Sequence, residues 1–558
     1  MSLTSSDVQT RALTLKRFWG KRDAKFRDWY EQIKMVDTLA QRDMESFVGN
    51  DPRASFNLIS SILDQRIPHR LPPGKLNVEQ VRPAAELSSM FDDIWENIAE
   101  SYRTRGRYLQ KDIIDYLLAT GWYSVFAAPT QDGSAFLAEA WNPVTVYPKW
   151  SDILSECAHV FTPGEAAIQR MKLRNGWEMK SAISDGTPIY DYWWVELAQR
   201  RIEVHNSIVV GSEQVKPDTI HPQLKRIPIF VFPVGGLPDT GELAKGRRGE
   251  DWKQDIGQSF IATNENVYRT VNKWWTFMMQ LLRDTAQART YERTSSAKQI
   301  VQPETWYRRG AHYKLGLQDE IGFIQPPAPP VELRQLQLDL EAMEQRGGPS
   351  WTMFGSIQQR MTAYAMSQVV ATTNQIAKAY HTGIIDLFTD IDNFFYSMIR
   401  ENNYSPYGMK LPDNLPPDVR LSASYELRIP GDLVQRATTA RMLNPDFELS
   451  DERIMEELFP EIKNPTEELA RVRASKARKH PIYAQISLAE ALKQEALLLR
   501  NARDTTGAEL YEKAAERLEA EITGEAQEQA QQQQRQNVRI RPEVSPSQTQ
   551  QLRRYAER

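Results

Sequence analysis

Between Gly249 and Arg400 the chain passes from helical to non-helical periodicity and back again, and this order constrains the fold more than any other segment. Ile256, Phe260, Val267, Val271, Trp274, Met278 and Leu282 recur close to helical spacing, which predicts a helix over 250–288. Thr294 to Gly322 loses that period, and Lys298–Val301, Trp306-Tyr307 and Ile321–Ile324 read as short and extended. The run Pro326-Pro327-Ala328-Pro329-Pro330 is a stiff spacer. Val331–Arg346 is helical again until Gly347-Gly348-Pro349 stops it, and a loop with Trp351, Met353 and Phe354 follows. Ile357 to Ile399 reads as one long helix with Gly383 as its weak point. The block is two rods joined at one end by a small module and at the other by a flexible loop, then a third, longer rod.

In front of it the chain reads as helical. Phe18, Trp19, Phe26, Trp29, Tyr30 and Ile33 recur at three-, four- and seven-residue steps. A second helix starts after Asp51-Pro52, a third carries Leu87, Phe91, Ile94, Trp95 and Ile98, and a fourth runs from Leu109 to a stop at Gly121. From Trp122 the runs Tyr123–Ala128, Ala135–Trp141, Thr145–Tyr147, Thr187–Val195, Arg201–Val210 and Pro228–Pro233 are β-like, so 122–249 is a strand-rich unit behind a helical front at 1–121. Behind the block, Val419, Leu421, Ala423, Tyr425, Leu427 and Ile429 alternate as a one-sided strand. The stretch 448–523 is helical and charged, and 524–558 is a Gln-rich low-complexity tail. The fold class expected is α+β, mainly helical.

A chain of 558 residues calls for two to four structural regions. A single cysteine, Cys157, excludes internal disulfides and a cysteine-based zinc site, and reads as a small buried hydrophobe. The net charge of −4 argues against a basic nucleic-acid coat. No window approaches 18 uninterrupted apolar residues, so no membrane span is expected. The polar opening Met1–Ser6 does not resemble a secretion leader, which makes a cytoplasm the expected place of assembly.

Catalytic signatures are missing. Gly241–Arg248 lacks the Lys-Ser/Thr of a phosphate loop, Gly235-Gly236 lacks a dinucleotide fingerprint, and the histidines have no metal-like spacing. Asp92-Asp93 and the trio Asp386, Asp390 and Asp392 read as helix faces, since a two-metal site gathers acids from several elements. No catalytic, metal-binding or cofactor-binding residue is assigned, and the chain is not expected to be an enzyme. The basic groups Lys245-Arg247-Arg248, Arg308-Arg309 and Lys476–His480 read as solvated faces or as point contacts to a nucleic-acid backbone.

The ordered set of parts resembles one family, the portal proteins (head-to-tail connectors) of tailed double-stranded DNA bacteriophages. The resemblance is carried by Trp29-Tyr30 and Asn57-Leu58-Ile59 in the front, by Ala140–Pro148, and by Ile227-Pro228-Ile229 leading through Gly246–Asp251 to the helix with Asn264 and Asn266. It implies a portal-type fold: wing 1–249, first stem helix 250–288, small α/β clip 289–330, second stem helix 331–346, tunnel loop 347–357, long helix and returning wing strand 358–447, and helical crown 448–523. It also implies a dodecameric ring at the portal vertex of a virion capsid, assembled in a host bacterial cytoplasm. Duplex DNA would be packaged and later ejected through that ring. The terminase large subunit, the major capsid and scaffolding proteins and the adaptor and tail proteins would be its partners. On that reading Gly347, Gly348, Trp351, Met353 and Phe354 face DNA. Trp306, Tyr307, Arg308 and Arg309 face motor and adaptor. Trp274, Trp275, Phe277 and Met278 build subunit contacts, because a stem helix with neighbours on two sides needs a wide apolar face.

Two other readings stand beside it. One is a virion or scaffold-like helical interaction protein without a DNA channel. The other is a nucleic-acid enzyme whose acids are not recognisable.

Overall fold

The structure, a computed structural model, describes residues 3–41, 45–64, 69–70, 78–179, 184–198, 201–237, 256–286, 290–295, 299–302, 305–306, 308, 312–324, 332–354, 363–415, 419–425, 451, 454–455, 459, 465–478, 481–501 and 505–519. The chain forms two compact units, 1–429 and 430–558. The expected tail 524–558 and the end of the returning strand lie outside the described residues.

Among the described residues the front is five helices, one more than the periodicity predicts. Helix α1 (Ser5–Phe18) is capped by Thr4 and Asp7, and buries Val8, Ala12 and Leu15 at helical spacing. The chain breaks at Trp19 and restarts as α2 (Gly20–Ile33). The break lets the fully buried Arg22 enter the core, where its guanidinium lies about 5 Å from the rings of Trp19, Phe26 and Trp122. Its Nη2 donates to Asp23 Oδ1 at 2.9 Å and to the carbonyls of Pro143 and Val146, at 3.2 and 3.0 Å. A charge can be buried there only because it is paired and hydrogen-bonded. Helices α3 (Asp51–Leu63), α4 (Val78–Arg103) and α5 (Leu109–Thr120) follow, with the two-residue strand β1 (His69–Arg70) between α3 and α4. Gly121 ends α5 in the left-handed conformation at φ 71°. A side chain there would also meet the Gln258 backbone, 2.3 Å from its Cβ.

Two antiparallel sheets follow. Strands β2 (Trp122–Pro129) and β3 (Phe136–Ala140) pair, as do β4 (Val146–Trp150) and β5 (Leu154–Phe161). Helix α6 (Glu165–Asn175), absent from the sequence expectation, lies between β5 and the long ribbon β6 (Ile189–Ala198), β7 (Arg201–Val210) and β8 (Glu213–Ile220). The five-stranded sheet has the order β4-β5-β6-β7-β8, and β9 (Ile229–Pro233) completes the sheet β3-β2-β9. Cys157 is fully buried on β5. His159 lies between the rings of Trp141 and Phe161, and burial pushes its pKa down to about 3, so it is a neutral core residue.

The first rod is shorter than its periodicity suggests: α7 runs from Glu265 to Ala286. Ile256 and Phe260 belong to a non-helical stretch hydrogen-bonded to the residue after β9 and to α5, Gln258 N to Val234 O at 3.1 Å and Phe260 N to Leu118 O at 2.9 Å. Strands β10 (Thr290–Arg293) and β11 (Glu320–Phe323) pair antiparallel, and α8 is Glu332–Gly347. Gly347 therefore closes the second rod rather than opening the loop. The third rod, α9 (Ala363–Asn402), has 40 residues and buries Ile384, Leu387, Ile391, Phe395 and Met398 against the core. Gly383 is a contact rather than a weak point: a Cβ there would lie 2.7 Å from Val234 Cγ2, and its absence lets α9 approach β9. Among the described residues the returning strand is β12 (Ser422–Ala423), paired with β1.

In the second unit, helices Pro465–Arg478 and Pro481–Asn501 and a helix over 505–519 are described. The latter two bury Ala489, Ala496, Ala508 and Ala515, and are tied by Lys493–Glu519 and Arg500–Glu512 at 2.6 and 3.1 Å.

Candidate functional site

Polar side chains fix how α7 and α8 meet each other and the front of the chain. Glu265, the first residue of α7, accepts from Lys25 Nζ at 2.5 Å and from Trp29 Nε1 at 2.7 Å. A carboxylate at a helix N-terminus is favoured there by the helix dipole. Asn272 Oδ1 accepts from Gly49 N at 2.8 Å and Thr276 Oγ1 from Phe47 N at 3.0 Å, so the segment before α3 is bound along α7. Asn264 Nδ2 donates to the Glu344 carbonyl at 2.7 Å, and a Cβ on Gly347 would lie 2.0 Å from Asn264 Oδ1. The end of α8 thus packs on the start of α7, and the two rods run antiparallel.

This contact divides the expected subunit-contact residues. Trp274 is already buried within the chain at 9% exposure, edge-on to Trp275, with ring centroids 4.8 Å apart. Trp275 is partly covered by Phe47, Met278 is half-buried, and Phe277 is exposed. Leu282 on α7 and Leu336, Leu338 and Met343 on α8 are exposed as well. The apolar surface these two helices leave exposed therefore mixes the aromatics Trp275 and Phe277 with aliphatic side chains.

The module between the rods is β-structured, and no α-helix occurs among its described residues. Trp306 packs edge-on to Phe323, with centroids 6.0 Å apart. Glu292 accepts from the backbone N–H groups of Ile300 and Val301 at 3.2 and 3.1 Å, holding Val301 in a small buried position. Leu315, Leu317, Phe323 and Ile324 are exposed. Arg308 is described, whereas Tyr307 and Arg309 lie outside the described residues.

Trp351–Phe354 form one 3-10 turn, with Met353 N donating to Ser350 O at 2.9 Å. Gly348 and Pro349 are buried and Met353 packs against the main core, and the end of the expected loop, 355–357, lies outside the described residues. Trp351 and Phe354 instead line a cleft with Asp51, Tyr268 and Glu344, which continues past Trp274 and Glu341. Burial, then the charges of Asp51 and Glu341, push the Glu344 carboxyl up to about 7. Sequence reasoning missed this cluster, because Asp51 and Glu344 belong to helices far apart in the chain and each looks like an ordinary helix-face acid.

Of the acids singled out on α9, Asp392 serves the core: it is fully buried and accepts from Trp95 Nε1 at 2.7 Å. Asp386 and Asp390 are exposed, and partial desolvation raises the Asp390 pKa against the pull of Arg226. Among the described residues no three His, Cys, Asp or Glu side chains are placed to share a metal ion. No described helix is long and apolar enough to cross a membrane.

No family model matches the sequence, and no curated protein matches it. Among solved structures the chain is similar to one from the neck of an empty gene transfer agent (GTA) particle computed with C6 symmetry, at TM-score 0.40 and 10% identity over 74% of this chain and 90% of that one. It is also similar to a chain from the neck of the native GTA particle computed with C12 symmetry, at TM-score 0.37 and 11% identity over 73% and 89%. A chain from the virion of the native GTA particle gives TM-score 0.37 and 10% identity over the same shares.

Proposed function

We propose that this chain is a portal-type structural protein, a ring subunit that lines a passage for duplex DNA at one vertex of a phage-like capsid. The observation that carries the reading is the stem. Two antiparallel helices leave the wing, carry a β module between them, and return through a short aromatic turn into a long buried helix. Phe277, Leu282, Leu336, Leu338 and Met343 are left exposed on those two helices. A head-to-tail contact that closes on itself covers such faces in every copy and forms a ring. The net charge of −4 suits a passage rather than a grip, since each phosphate contact adds affinity and salt dependence.

On this reading the chain is not an enzyme. Packaging is driven by a separate terminase, which docks on the β module through Trp306 and its neighbours, and adaptor and tail proteins later take the same place. The wing meets capsid and scaffolding proteins, the complete ring belongs to the virion, and Trp351 and Phe354 are the loop residues closest to DNA.

Imaging and weighing the purified protein tests the reading. The expected particle is a hollow ring of about twelve copies, about 770 kDa from a 64.3 kDa chain. A protein that stays monomeric even with its scaffolding partner present, or that grips duplex DNA tightly at physiological salt, would overturn it.

A further inference from the structure

The cleft at the base of the stem gathers three carboxylates, those of Asp51, Glu341 and Glu344, and no cation lines it among the described residues. Its walls are aromatic: Tyr268, Trp274, Trp351 and Phe354. The indole Nε1 of Trp274 is buried there with no acceptor. An occupant that satisfies the whole site brings a positive charge for the carboxylates and an acceptor for that N–H. A cationic side chain on a polypeptide does both, because a peptide carbonyl lies beside its stem and aromatic faces favour the cation. A bare metal ion supplies only the charge.

The chain carries such a group at the right height. Arg346 follows Glu344 by two residues, so it lies about 3 Å further along α8 and about 200° around it, on the opposite face. It is exposed, with no ion pair among the described residues. A ring closed by rotation repeats every residue at one height and applies one face of each copy to the opposite face of the next.

We propose that this cleft is the receiving half of a subunit contact and takes the guanidinium of Arg346 from a second copy of the chain. The proposal rests on the ring reading above and names the contact that closes it.

Full-length protein carrying Glu344→Lys, Arg346→Glu or both is weighed over a concentration series. Arg346→Glu sets a negative charge against the three carboxylates, and should raise the concentration for half-assembly about ten-fold or more; Glu344→Lys leaves a net single negative charge facing Arg346, and should raise it by less. Adding Glu344→Lys to Arg346→Glu cuts the opposing charge from three carboxylates to a net of one, and should recover part of the loss caused by Arg346→Glu alone. Glu344→Gln serves as the folding control. Burial already disfavours the charge at that position, so the amide leaves the monomer folded, and it should weaken assembly in the same direction. Arg346→Glu assembling like wild type, or a double variant no better than Arg346→Glu alone, overturns the proposal and leaves the ring reading standing. A wild-type chain that never closes a ring overturns both.

Discussion

Asn264, just before α7, is bonded to the last turn of the opposite rod: its Nδ2 donates to the Glu344 carbonyl at 2.7 Å, and its Oδ1 fills the space beside Gly347. One short side chain thereby sets the spacing of two helices, and the position beside it tolerates only hydrogen. Gly347→Ala sets two effects against each other. Helix propensity favours Ala by up to about 1 kcal/mol, whereas a Cβ at 2.0 Å from Asn264 Oδ1 forces a backbone or side-chain shift. The clash should win, at about 1–3 kcal/mol of lost stability. A denaturation midpoint equal to or above wild type would show that Asn264 moves aside freely.

Glu344 should make stability depend on pH. Its pKa is about 7 in the folded chain against an ordinary 4.5, so the folded state holds the proton more tightly than the unfolded state. The stability this gives is present at acid pH and is lost as pH rises from about 4.5 to about 7. Chemical denaturation of wild type and Glu344→Gln across pH 4 to 8 should show the wild-type slope flattened in the variant. Parallel curves would mean that the carboxyl is solvated.

Arg22 supports the junction of α2 and the β4 sheet. Replacing it with Met leaves Asp23 buried without its partner, a change that costs about 3–5 kcal/mol for buried pairs. Arg22→Met should therefore unfold at much lower denaturant, and adding Asp23→Asn should recover part of the loss. Equal midpoints for the single and double variants would show that the guanidinium's ring contacts, and not its charge pair, dominate.

Gly383 and Val234 form a second tight contact. Gly383→Ala should cost about 1–3 kcal/mol by pushing α9 off β9, and Val234→Ala in the same chain should relieve most of the overlap. A double-mutant cycle by thermal denaturation measures the coupling, and strictly additive effects would refute it.

How far these features were legible in the sequence depends on how local they are. Three-to-four-residue periodicity marked α3, α4, α5 and most of α9, and Gly121 marked the end of α5, because a helix face and its cap are properties of adjacent residues. The same period failed at Ile256 and Phe260, where hydrogen bonds to Val234 and Leu118 hold a bent, non-helical path. Alternation found Arg201–Val210 but missed β8, whose Glu213–Ile220 run is half-exposed on both faces and shows no apolar rhythm. Gly347 and Gly383 were read as loosening residues, since a glycine in a sequence reports freedom and says nothing of what presses against it.

The sequence by itself determined the order of rods, module and loop and the burial of Cys157, and it contained no recognisable catalytic motif. All of these rest on neighbouring side chains and on composition. Only the tertiary structure decided that Asp51 meets Glu341 and Glu344 under an aromatic wall, that Trp274 turns inward while Phe277 stays out, and that Arg22 is a core residue. Those facts depend on which distant segments touch, and burial, which sets both the pKa of Glu344 and the cost of Arg22, is a property of the packed chain.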